Sequence, residues 1–382
     1  MPVVDSDFAW TDKELKALVQ ELGDVFRGRS ALVTGADGFM GSHLTEALVA
    51  LGTRTHVLVR ATSSGALHNL AHLRSELTLH WGDLTDRHAV DRTIAALHKA
   101  PEPPFVFHLG AQAHVGESWL RPYETVSANV VGTLNLLQSI VDTGLELAML
   151  STSGTSEEYG NVADGSREQH RFDEDGGLVL HEHSPLNPQS IYATSKLASD
   201  FLTQNFADAY GLPAVVTRMF NNYGLRQNPR YVTGTIITQA LERNHIELGN
   251  LLPRRDFCFC ADGVRAHLHV AAHGRPGGIY CFGQGASISI GDWAELILRL
   301  GEQDGFWRGR ALASVSERFR PGASDVMALR VDSSVLEKET GWRPLVSWED
   351  GLRRTIAWYA GHPERWRSRV DWAPADREPA SV

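Results

Sequence analysis

The chain has 382 residues, of which 42% are hydrophobic and 21% are charged, as in a globular protein large enough for two domains. Its formal net charge of -10 argues against non-specific binding to nucleic acid or to an anionic membrane. No apolar run is long enough to span a bilayer, and the first residues lack a signal-peptide pattern. The three cysteines, Cys258, Cys260 and Cys281, give neither a disulfide framework nor a paired zinc spacing, so we expect a cytoplasmic protein without a metal site.

Strand and helix patterns alternate along the first part of the chain. A helix is predicted over residues 12–26, and buried strands follow at 30–33, 55–59, 77–80, 105–109, 147–151 and 214–218. Further helices are predicted at 43–51, 86–98, 129–141 and 191–210. This alternation is typical of an α/β fold with a Rossmann-type, doubly wound parallel sheet.

Four regions are predicted. Residues 1–28 form a helical extension, and 29–224 form the doubly wound domain. Residues 225–366 mainly form a smaller mixed α/β lobe, with segments that can interleave with the first, and 367–382 form a loose tail. The stretch 161–190 is polar and too long for an ordinary connection, so it is either disordered or a lid over the site.

A glycine-rich turn, Thr34-Gly35-Ala36-Asp37-Gly38-Phe39-Met40-Gly41, joins the first strand to the next helix with the spacing G-x-x-G-x-x-G. Glycines allow a tight turn and close approach of the backbone to phosphate, and a helix N-terminus supplies free N–H groups and a positive dipole end. The turn therefore predicts a dinucleotide site. The predicted cofactor-binding residues here are Gly35, Asp37, Gly38, Phe39, Met40 and Gly41.

A second candidate motif lies in the helix that follows the fifth strand. Tyr192 and Lys196 are four residues apart and so share one face of that helix. An ammonium beside a phenol favours the phenolate, which would let Tyr192 act as a base near neutral pH. An isolated pair with this spacing is usually a solvated surface pair, but its position downstream of a dinucleotide turn predicts a catalytic pair.

These motifs together resemble the extended short-chain dehydrogenase/reductase family that acts on sugar nucleotides. The supporting stretches are His108-Leu109-Gly110-Ala111-Gln112, Arg218-Met219-Phe220-Asn221-Asn222-Tyr223-Gly224, Arg255-Asp256-Phe257 and Gly341-Trp342-Arg343-Pro344. The resemblance covers residues 29–359. It implies a nucleotide-diphosphate sugar held between two lobes and a tightly held nicotinamide cofactor, with Tyr192 and Lys196 beside that cofactor.

The stretch Thr155-Ser156-Glu157-Glu158-Tyr159-Gly160 indicates the subfamily, because it resembles the Thr-Ser-Glu version found in GDP-mannose and some UDP-N-acetylglucosamine 4,6-dehydratases. Loss of water across C5 and C6 needs a base for the C5 proton, whereas a 4-epimerase needs none. We expect Tyr192 to take the C4 hydroxyl proton and Glu157 the C5 proton, with Thr155 and Ser156 near C4 and the leaving hydroxyl. Two alternatives stay open: Glu158 is the inward carboxylate, or Thr152-Ser153 occupies the position given to Thr155-Ser156.

The same resemblance supplies the remaining site residues. Asn221, Arg226, Arg255 and Arg320 are candidates for the diphosphate, since the planar guanidinium of arginine donates two parallel hydrogen bonds to phosphate. Arg60, Asp83, Leu84, Leu109, Ala111 and Gln112 complete the predicted cofactor site. Relatives that prefer NAD often carry an acidic residue at the position of Arg60. In this chain, Arg60 together with Thr62, Ser63 and Ser64 could bind a 2′-phosphate. NAD is expected, with NADP possible.

The leading prediction is an NDP-sugar 4,6-dehydratase. Its rivals in the family are a 4-epimerase, a 4-keto reductase and a uronate decarboxylase. A non-catalytic NAD(P)-sensing module is a rival of another class, which would not need both Tyr192 and Lys196. A homodimer is also predicted, because helices corresponding to 129–141 and 191–210 form a four-helix bundle across a two-fold axis in this family.

Overall fold

The computed structural model describes residues 8–61, 64–162, 166–174, 177–319 and 325–372. Its strands are β1 (Ser30–Thr34), β2 (Arg54–Val59), β3 (Leu77–Trp81), β4 (Phe105–His108), β5 (Met149–Thr155), β6 (Arg171–Phe172), β7 (Leu178–Val179), β8 (Ala214–Met219), β9 (Asn221–Tyr223), β10 (His245–Leu248), β11 (Arg254–Arg255), β12 (Phe257–Phe259), β13 (Ile279–Phe282), β14 (Ile288–Ser289) and β15 (Ala311–Ser314).

Its helices are α1 (Asp12–Phe26), α2 (Phe39–Ala50), α3 (Arg87–Leu97), α4 (Val115–Leu120), α5 (Pro122–Val126), α6 (Gly132–Thr143), α7 (Ile191–Tyr210), α8 (Val232–Glu242), α9 (Cys260–His273), α10 (Ile290–Gln303), α11 (Ser334–Thr340) and α12 (Trp348–Gly361). A π-helical turn, Ser127–Val131, leads into α6. No helix in these ranges is both long enough and apolar enough to cross a bilayer.

The central sheet confirms the predicted α/β, Rossmann-type fold. It contains seven parallel strands in the order β13-β8-β5-β4-β1-β2-β3. Strands β1 and β4 are buried throughout, as expected where helices cover both faces of a sheet. The strand order reverses between β1 and β4, which opens a crevice at their carboxyl ends. Strand β13 follows α9 in the chain and therefore comes after the domain boundary predicted at residue 224. The central sheet thus contains strands from both sides of that boundary.

The strand β5 is longer at its carboxyl end than the sequence predicted. Residues 151–154 are small and polar, which is typical of a turn, yet they are buried inside the sheet. Thr152 accepts a hydrogen bond at Oγ1 from Thr203 (3.1 Å) and at its carbonyl from Thr217 (3.3 Å). The strand ends at Thr155, which pairs with Met219 of β8, so β5 leads directly into the Thr-Ser-Glu turn. This register favours Thr155-Ser156 over Thr152-Ser153.

The stretch 161–190 packs beside the β13 edge of the sheet wherever the structure describes it. Leu180 forms a bridge with Val331, and Arg171 pairs with Asp332. The buried apolar cluster here includes Tyr159, Leu180, Phe220, Cys281 and Val331. The prediction of a disordered segment is therefore wrong for the described residues, because their apolar side chains join the core, whereas the alternative of a lid stays a prediction; residues 163–165 and 175–176 lie outside the description.

Both ends of the described chain pack against other elements: α1 lies against α9, α2 and β4, and the last residues lie against α8. Helix α1 has the predicted bounds, and Glu14 in its first turn binds both terminal nitrogens of Arg354 (3.0 and 2.9 Å). Trp366 is buried, and the indole of Trp372 donates to Thr238 Oγ1 (3.1 Å). The prediction of a loose tail is therefore wrong for residues 367–372, because the tryptophan there is buried; 373–382 lie outside the description.

Candidate active site

The glycine turn forms a close-packed floor under the crevice. Gly35 has φ +69°, and a methyl group on it would lie 2.8 Å from Cα of Gly110, at the end of β4. A methyl group on Gly41 would overlap the carbonyl oxygen of Gly35. Helix α2 begins with Phe39 and Met40 after the N-cap Gly38, which has no side-chain cap. This backbone therefore fits the pyrophosphate of a dinucleotide, which N–H groups of an uncapped first turn can bind.

Asp37 has a different partner from the one predicted. Its carboxylate accepts hydrogen bonds from the backbone N–H groups of His68 (2.6 Å), Asn69 (2.7 Å) and Leu70 (3.1 Å). These bonds tie the glycine turn to the loop between β2 and β3. The geometry supports an indirect role for Asp37, in which it shapes the cofactor site without facing the cofactor.

The other predicted cofactor residues lie at the carboxyl ends of β2, β3 and β4. Arg60 follows β2 and is exposed, whereas Thr62 and Ser63 lie outside the described residues. The carboxylate of Asp83 accepts bonds from Thr85, and Leu84 lies against Gly110 and Gly132. Leu109, Ala111 and Gln112 follow β4, and Gln112 Oε1 is buried with no hydrogen-bond partner among the described residues.

Tyr192 lies in the first turn of α7, against the end of β5. Its phenol lies close to the side chain of Thr155, which lowers the pKa of Tyr192. Burial, Tyr231, Glu157 and Glu158 all raise that pKa, and the net change is upward. The sequence prediction of a pKa lowered by Lys196 is therefore wrong for this state, because the phenol is desolvated and faces carboxylates. Its place at a helix N-terminus favours the phenolate.

Lys196 lies one turn further along α7 and is only 4% exposed. Burial lowers the pKa of its ammonium, while Glu158 and Asp200 raise it in part. The charge of Lys196 also affects two buried histidines: burial and Lys196 lower the pKa of both His108 and His267 to about 3. These histidines are therefore neutral at physiological pH, which leaves Lys196 as the local cation beside the crevice.

The Thr-Ser-Glu turn places its carboxylates in different surroundings. Ser156 and Glu157 are buried in the turn, and Thr155 Oγ1 accepts the N–H of Glu157 (3.3 Å). Glu157 is close enough to Tyr192 to raise the pKa of the phenol. Glu158 is fully buried and is bound to Arg218 (Oε2–Nε 3.2 Å). The geometry thus favours Glu157 over Glu158 as the carboxylate that acts beside Tyr192.

The predicted diphosphate ligands that the structure describes lie in different surroundings. Asn221 begins β9, two residues beyond the Met219 that pairs with Thr155, and its buried Oδ1 has no hydrogen-bond partner among the described residues. Arg255 lies two residues before the Phe257 that pairs with Asn221, so both residues lie near the same end of the sheet. Arg320 lies outside the described residues.

Arg226 has a buried protein partner. Its guanidinium binds Glu46 of α2 (2.6 Å), and both side chains are almost completely buried. Its φ of +65° is an unusual backbone conformation for a residue with a side chain. This geometry does not support the predicted binding of diphosphate by Arg226. It indicates instead that Arg226 fastens the loop before α8 to the dinucleotide-binding helix.

Two residues of the site were missed by the sequence analysis. The side-chain amide of Asn129, in the π-helical turn, accepts the N–H of Gln112 (2.7 Å) and donates to Gln112 O (3.0 Å) and Ser195 Oγ (2.8 Å). Tyr231 donates to Ala113 O (2.8 Å) and lies close enough to Tyr192 to raise its pKa. Neither residue belongs to a spacing motif, so only the folded structure connects them to the crevice.

Comparison with known proteins identifies the family. The family model for GDP-mannose 4,6 dehydratase matches residues 32–355. The chain belongs to this family. It is 33% identical to a dTDP-glucose 4,6-dehydratase of Streptomyces griseus, over 91% of this chain and 98% of that protein. It is 30% identical to a dTDP-D-glucose 4,6-dehydratase of Mus musculus, over 89% and 91%.

Solved structures show the same architecture. A dTDP-glucose 4,6-dehydratase from Streptomyces venezuelae, solved with NAD, is 28% identical and superposes with a TM-score of 0.76, covering 89% of this chain and all of that one. A UDP-glucose 4-epimerase of Thermus thermophilus, also solved with NAD, is 28% identical with a TM-score of 0.72, covering 87% and 99%. The predicted family, and with it the class of sugar-nucleotide dehydratase, is confirmed.

Proposed function

We propose that this protein removes water across C5 and C6 of a nucleotide-diphosphate hexose and releases a 4-keto-6-deoxy sugar nucleotide. The observation that carries the proposal is the placement of Glu157 two residues after Thr155, close to the phenol of Tyr192. A 4-epimerase shares the glycine turn and the Tyr-Lys pair but needs no base for a C5 proton. The dehydratases named among the relatives support this choice.

The oxidation step uses the residues of α7 and the end of β5. Tyr192 takes the proton of the C4 hydroxyl, and Thr155 hydrogen-bonds the phenol so that it faces C4. Lys196, one turn further along α7, places its ammonium beside the cofactor crevice. NAD, held by the glycine turn and the residues that follow β2, β3 and β4, would supply reversible hydride transfer, taking hydride from C4 and making it available for C6. Asn129 holds Gln112 and Ser195 in place along the cofactor crevice.

The elimination step uses Glu157. The new C4 ketone makes the C5 proton acidic, and the carboxylate of Glu157 takes it. Glu157 then passes a proton to the C6 hydroxyl, which leaves as water, with Ser156 hydrogen-bonding the leaving oxygen. Hydride return to C6 and addition of a solvent proton at C5 complete the product, while Tyr192 returns its proton to solvent. The net change is the loss of one water, with no oxidant or reductant consumed.

We infer NAD as the cofactor, as in the two solved relatives, with NADP as the alternative because Arg60 offers a positive charge after β2. Asn221 and Arg255 are the proposed ligands of the substrate diphosphate, and Arg320 follows from the sequence resemblance alone. The guanidinium of Arg255 is already bound in part within the protein, since it donates to the carbonyl of Val326 (2.6 Å) and lies 3.7 Å from Asp325.

A cytoplasmic homodimer completes the proposal. Exposed apolar side chains cluster on the helices around α6 and α7: Trp119, Leu120, Tyr123, Val126, Val131, Leu134 and Phe201. Apolar exposure concentrated on neighbouring helices is typical of a protein interface. On the same helices, Leu137, Ile140 and Phe206 are buried in the protomer, so the exposed Leu134 and Phe201 are the better candidates for partner contacts.

The experiment is incubation of the purified protein with a panel of NDP-hexoses in deuterated water, without added NAD(P)H. The proposal predicts a 4-keto-6-deoxy product with solvent deuterium at C5. A reductase would instead need NAD(P)H, an epimerase would return an unoxidised hexose, and a sensing module would convert none of the sugars.

A further inference from the structure

A buried cluster of charges lies behind the catalytic pair. Arg218 of β8 presents its Nε to two carboxylates, Asp200 Oδ2 at 2.8 Å and Glu158 Oε2 at 3.2 Å. All three side chains are at most 2% exposed. The other terminal contacts of Arg218 go to Tyr159 OH (3.1 Å) and to the carbonyl of Glu182 (3.0 Å). One guanidinium nitrogen therefore serves two carboxyl groups.

Glu158 also holds the catalytic turn. Its second oxygen, Oε1, accepts the backbone N–H of Thr155 (2.8 Å). Thr155 Oγ1 in turn accepts the N–H of Glu157 (3.3 Å), and the same side chain lies close enough to Tyr192 to lower the pKa of its phenol. A single side chain thus connects the turn that carries Glu157 to the centre of α7, where Asp200 lies one turn beyond Lys196.

The surrounding charges and the burial indicate that Glu158 and Asp200 together hold one proton. Burial raises the pKa of Glu158, and the negative charge of Asp200 and a hydrogen bond between the two carboxyl groups raise it further, against the lowering effect of Arg218 and Lys196. Two buried carboxylates in contact are costly when both are ionised, so such a pair retains one proton. The N–H of Arg218 Nε is donated to Asp200 Oδ2 (2.8 Å), so Glu158 Oε2 lies near that nitrogen but accepts no hydrogen bond from the described residues, which fits an oxygen that carries the proton.

We propose that Glu158 is a positioning residue that stays a neutral carboxylic acid: it accepts the N–H of Thr155 at one oxygen, donates its proton to Asp200 from the other, and so fixes the Thr-Ser-Glu turn against α7. The effect of Glu158 on the reaction rate rests on the proposed function, whereas the protonation state of Glu158 does not. Ionisation of Glu158 would place a second negative charge near Lys196 and Tyr192. The phenol, whose pKa burial already raises, would then become a still weaker acid, and less of it would be ionised at the pH of the reaction.

Two substitutions separate this role from mere packing. Glu158→Gln keeps an acceptor for Thr155 and a donor for Asp200, so kcat at neutral pH should stay within about twofold of wild type. Glu158→Val removes both bonds and should lower kcat at least about tenfold, with a smaller change in KM for the sugar nucleotide. In wild type, kcat should fall on the alkaline side as Glu158 ionises, and Glu158→Gln should lack that fall.

Infrared difference spectroscopy tests the protonation without any substrate. Wild type minus Glu158→Gln should show the carbonyl stretch of a protonated carboxylic acid at neutral pH, shifted in deuterated water. Glu182→Gln is the matched control, because Glu182 is also a buried glutamate and accepts the N–H of Cys281 (3.2 Å); it should leave the alkaline limb of the pH profile unchanged. Absence of the band, or a Gln variant as slow as the Val variant, would overturn the inference. A clear band with no sugar converted would sink the proposed function and leave the protonation standing.

Discussion

The side chain of Thr155, the last residue of β5, lies close enough to the phenol of Tyr192, in the first turn of α7, to lower the pKa of that phenol. Because Thr155 begins the Thr-Ser-Glu turn, this contact joins the turn that carries the proposed C5 base, Glu157, to the proposed C4 base, Tyr192. Burial, Tyr231 and Glu157 act in the opposite direction and raise the pKa of Tyr192. In the proposed mechanism, ionisation of Tyr192 in the first step therefore depends in part on the side chain of Thr155.

Thr155→Val should slow C4 oxidation about tenfold at neutral pH and move its pH dependence to higher pH, because the phenolate loses a buried hydrogen bond. The measurement is the rate of nicotinamide reduction in a single turnover, recorded against pH. Thr152→Val is the matched control, since Thr152 lies on the same strand and is buried inside the sheet. If both variants show the same pH profile as wild type, Thr155 does not act on the phenol.

Tyr192→Phe should lower the rate of C4 oxidation by about 10²–10⁴-fold, the range usual for loss of a general base. Because burial raises the pKa of Tyr192, the wild-type oxidation rate should increase with pH through the neutral range, as more phenolate forms. The phenylalanine variant should lose this dependence. A pH-independent wild-type rate would show that another group takes the C4 proton.

The parallel strands and the glycine turn could be predicted from the sequence because each depends on local pattern: apolar runs for β1 and β4, and glycines at fixed spacing between strand and helix. The end of β5 could not, since Ser151 to Gly154 are small polar residues whose hydrogen bonds go to distant elements such as Thr203 and Thr217. Local composition carries no information about those partners.

The candidate site likewise has a part that the sequence predicts and a part that only the folded structure reveals. The placement of Thr155, Glu157 and Tyr192 followed from motifs. The partners of buried charges did not, because Arg226 meets Glu46 across 180 residues of sequence. Arginine is equally suited to phosphate and to a carboxylate, so only the folded chain shows which of the two it binds.

The ion pair between Arg226 and Glu46 predicts a stability change. Glu46→Gln should destabilise the fold by about 3–5 kcal/mol, because it leaves a buried guanidinium without its carboxylate. Since the pKa of Glu46 is lowered, despite burial, by His43, His72 and Arg226, its contribution is present above the unfolded value of 4.5 and is lost as pH falls. Urea unfolding at a series of pH values measures both effects.

A surface pair provides the comparison for that experiment. Asp91→Asn removes the exposed partner of Arg87 and should cost less than about 1 kcal/mol. Equal losses in the two variants would contradict the claim that Glu46 and Arg226 hold the dinucleotide-binding helix to the loop before α8.

The dimer proposal predicts that Leu134→Glu combined with Phe201→Glu yields a monomer, because both side chains are exposed apolar positions on α6 and α7. Light scattering at micromolar protein gives the mass. Leu345→Glu is the control, since Leu345 is also an exposed leucine but lies outside these helices, and it should leave the mass unchanged. A monomeric wild type would end the proposal.

The most direct test of the central claim is Glu157→Gln on a sugar nucleotide that the wild type dehydrates, assayed in deuterated water. The account predicts that nicotinamide reduction by the substrate persists, while deuterium entry at C5 and loss of water fall by about 10²-fold or more. The exposed Glu168→Gln should behave as wild type. Dehydration by Glu157→Gln at the wild-type rate would contradict the assignment of Glu157 as the C5 base.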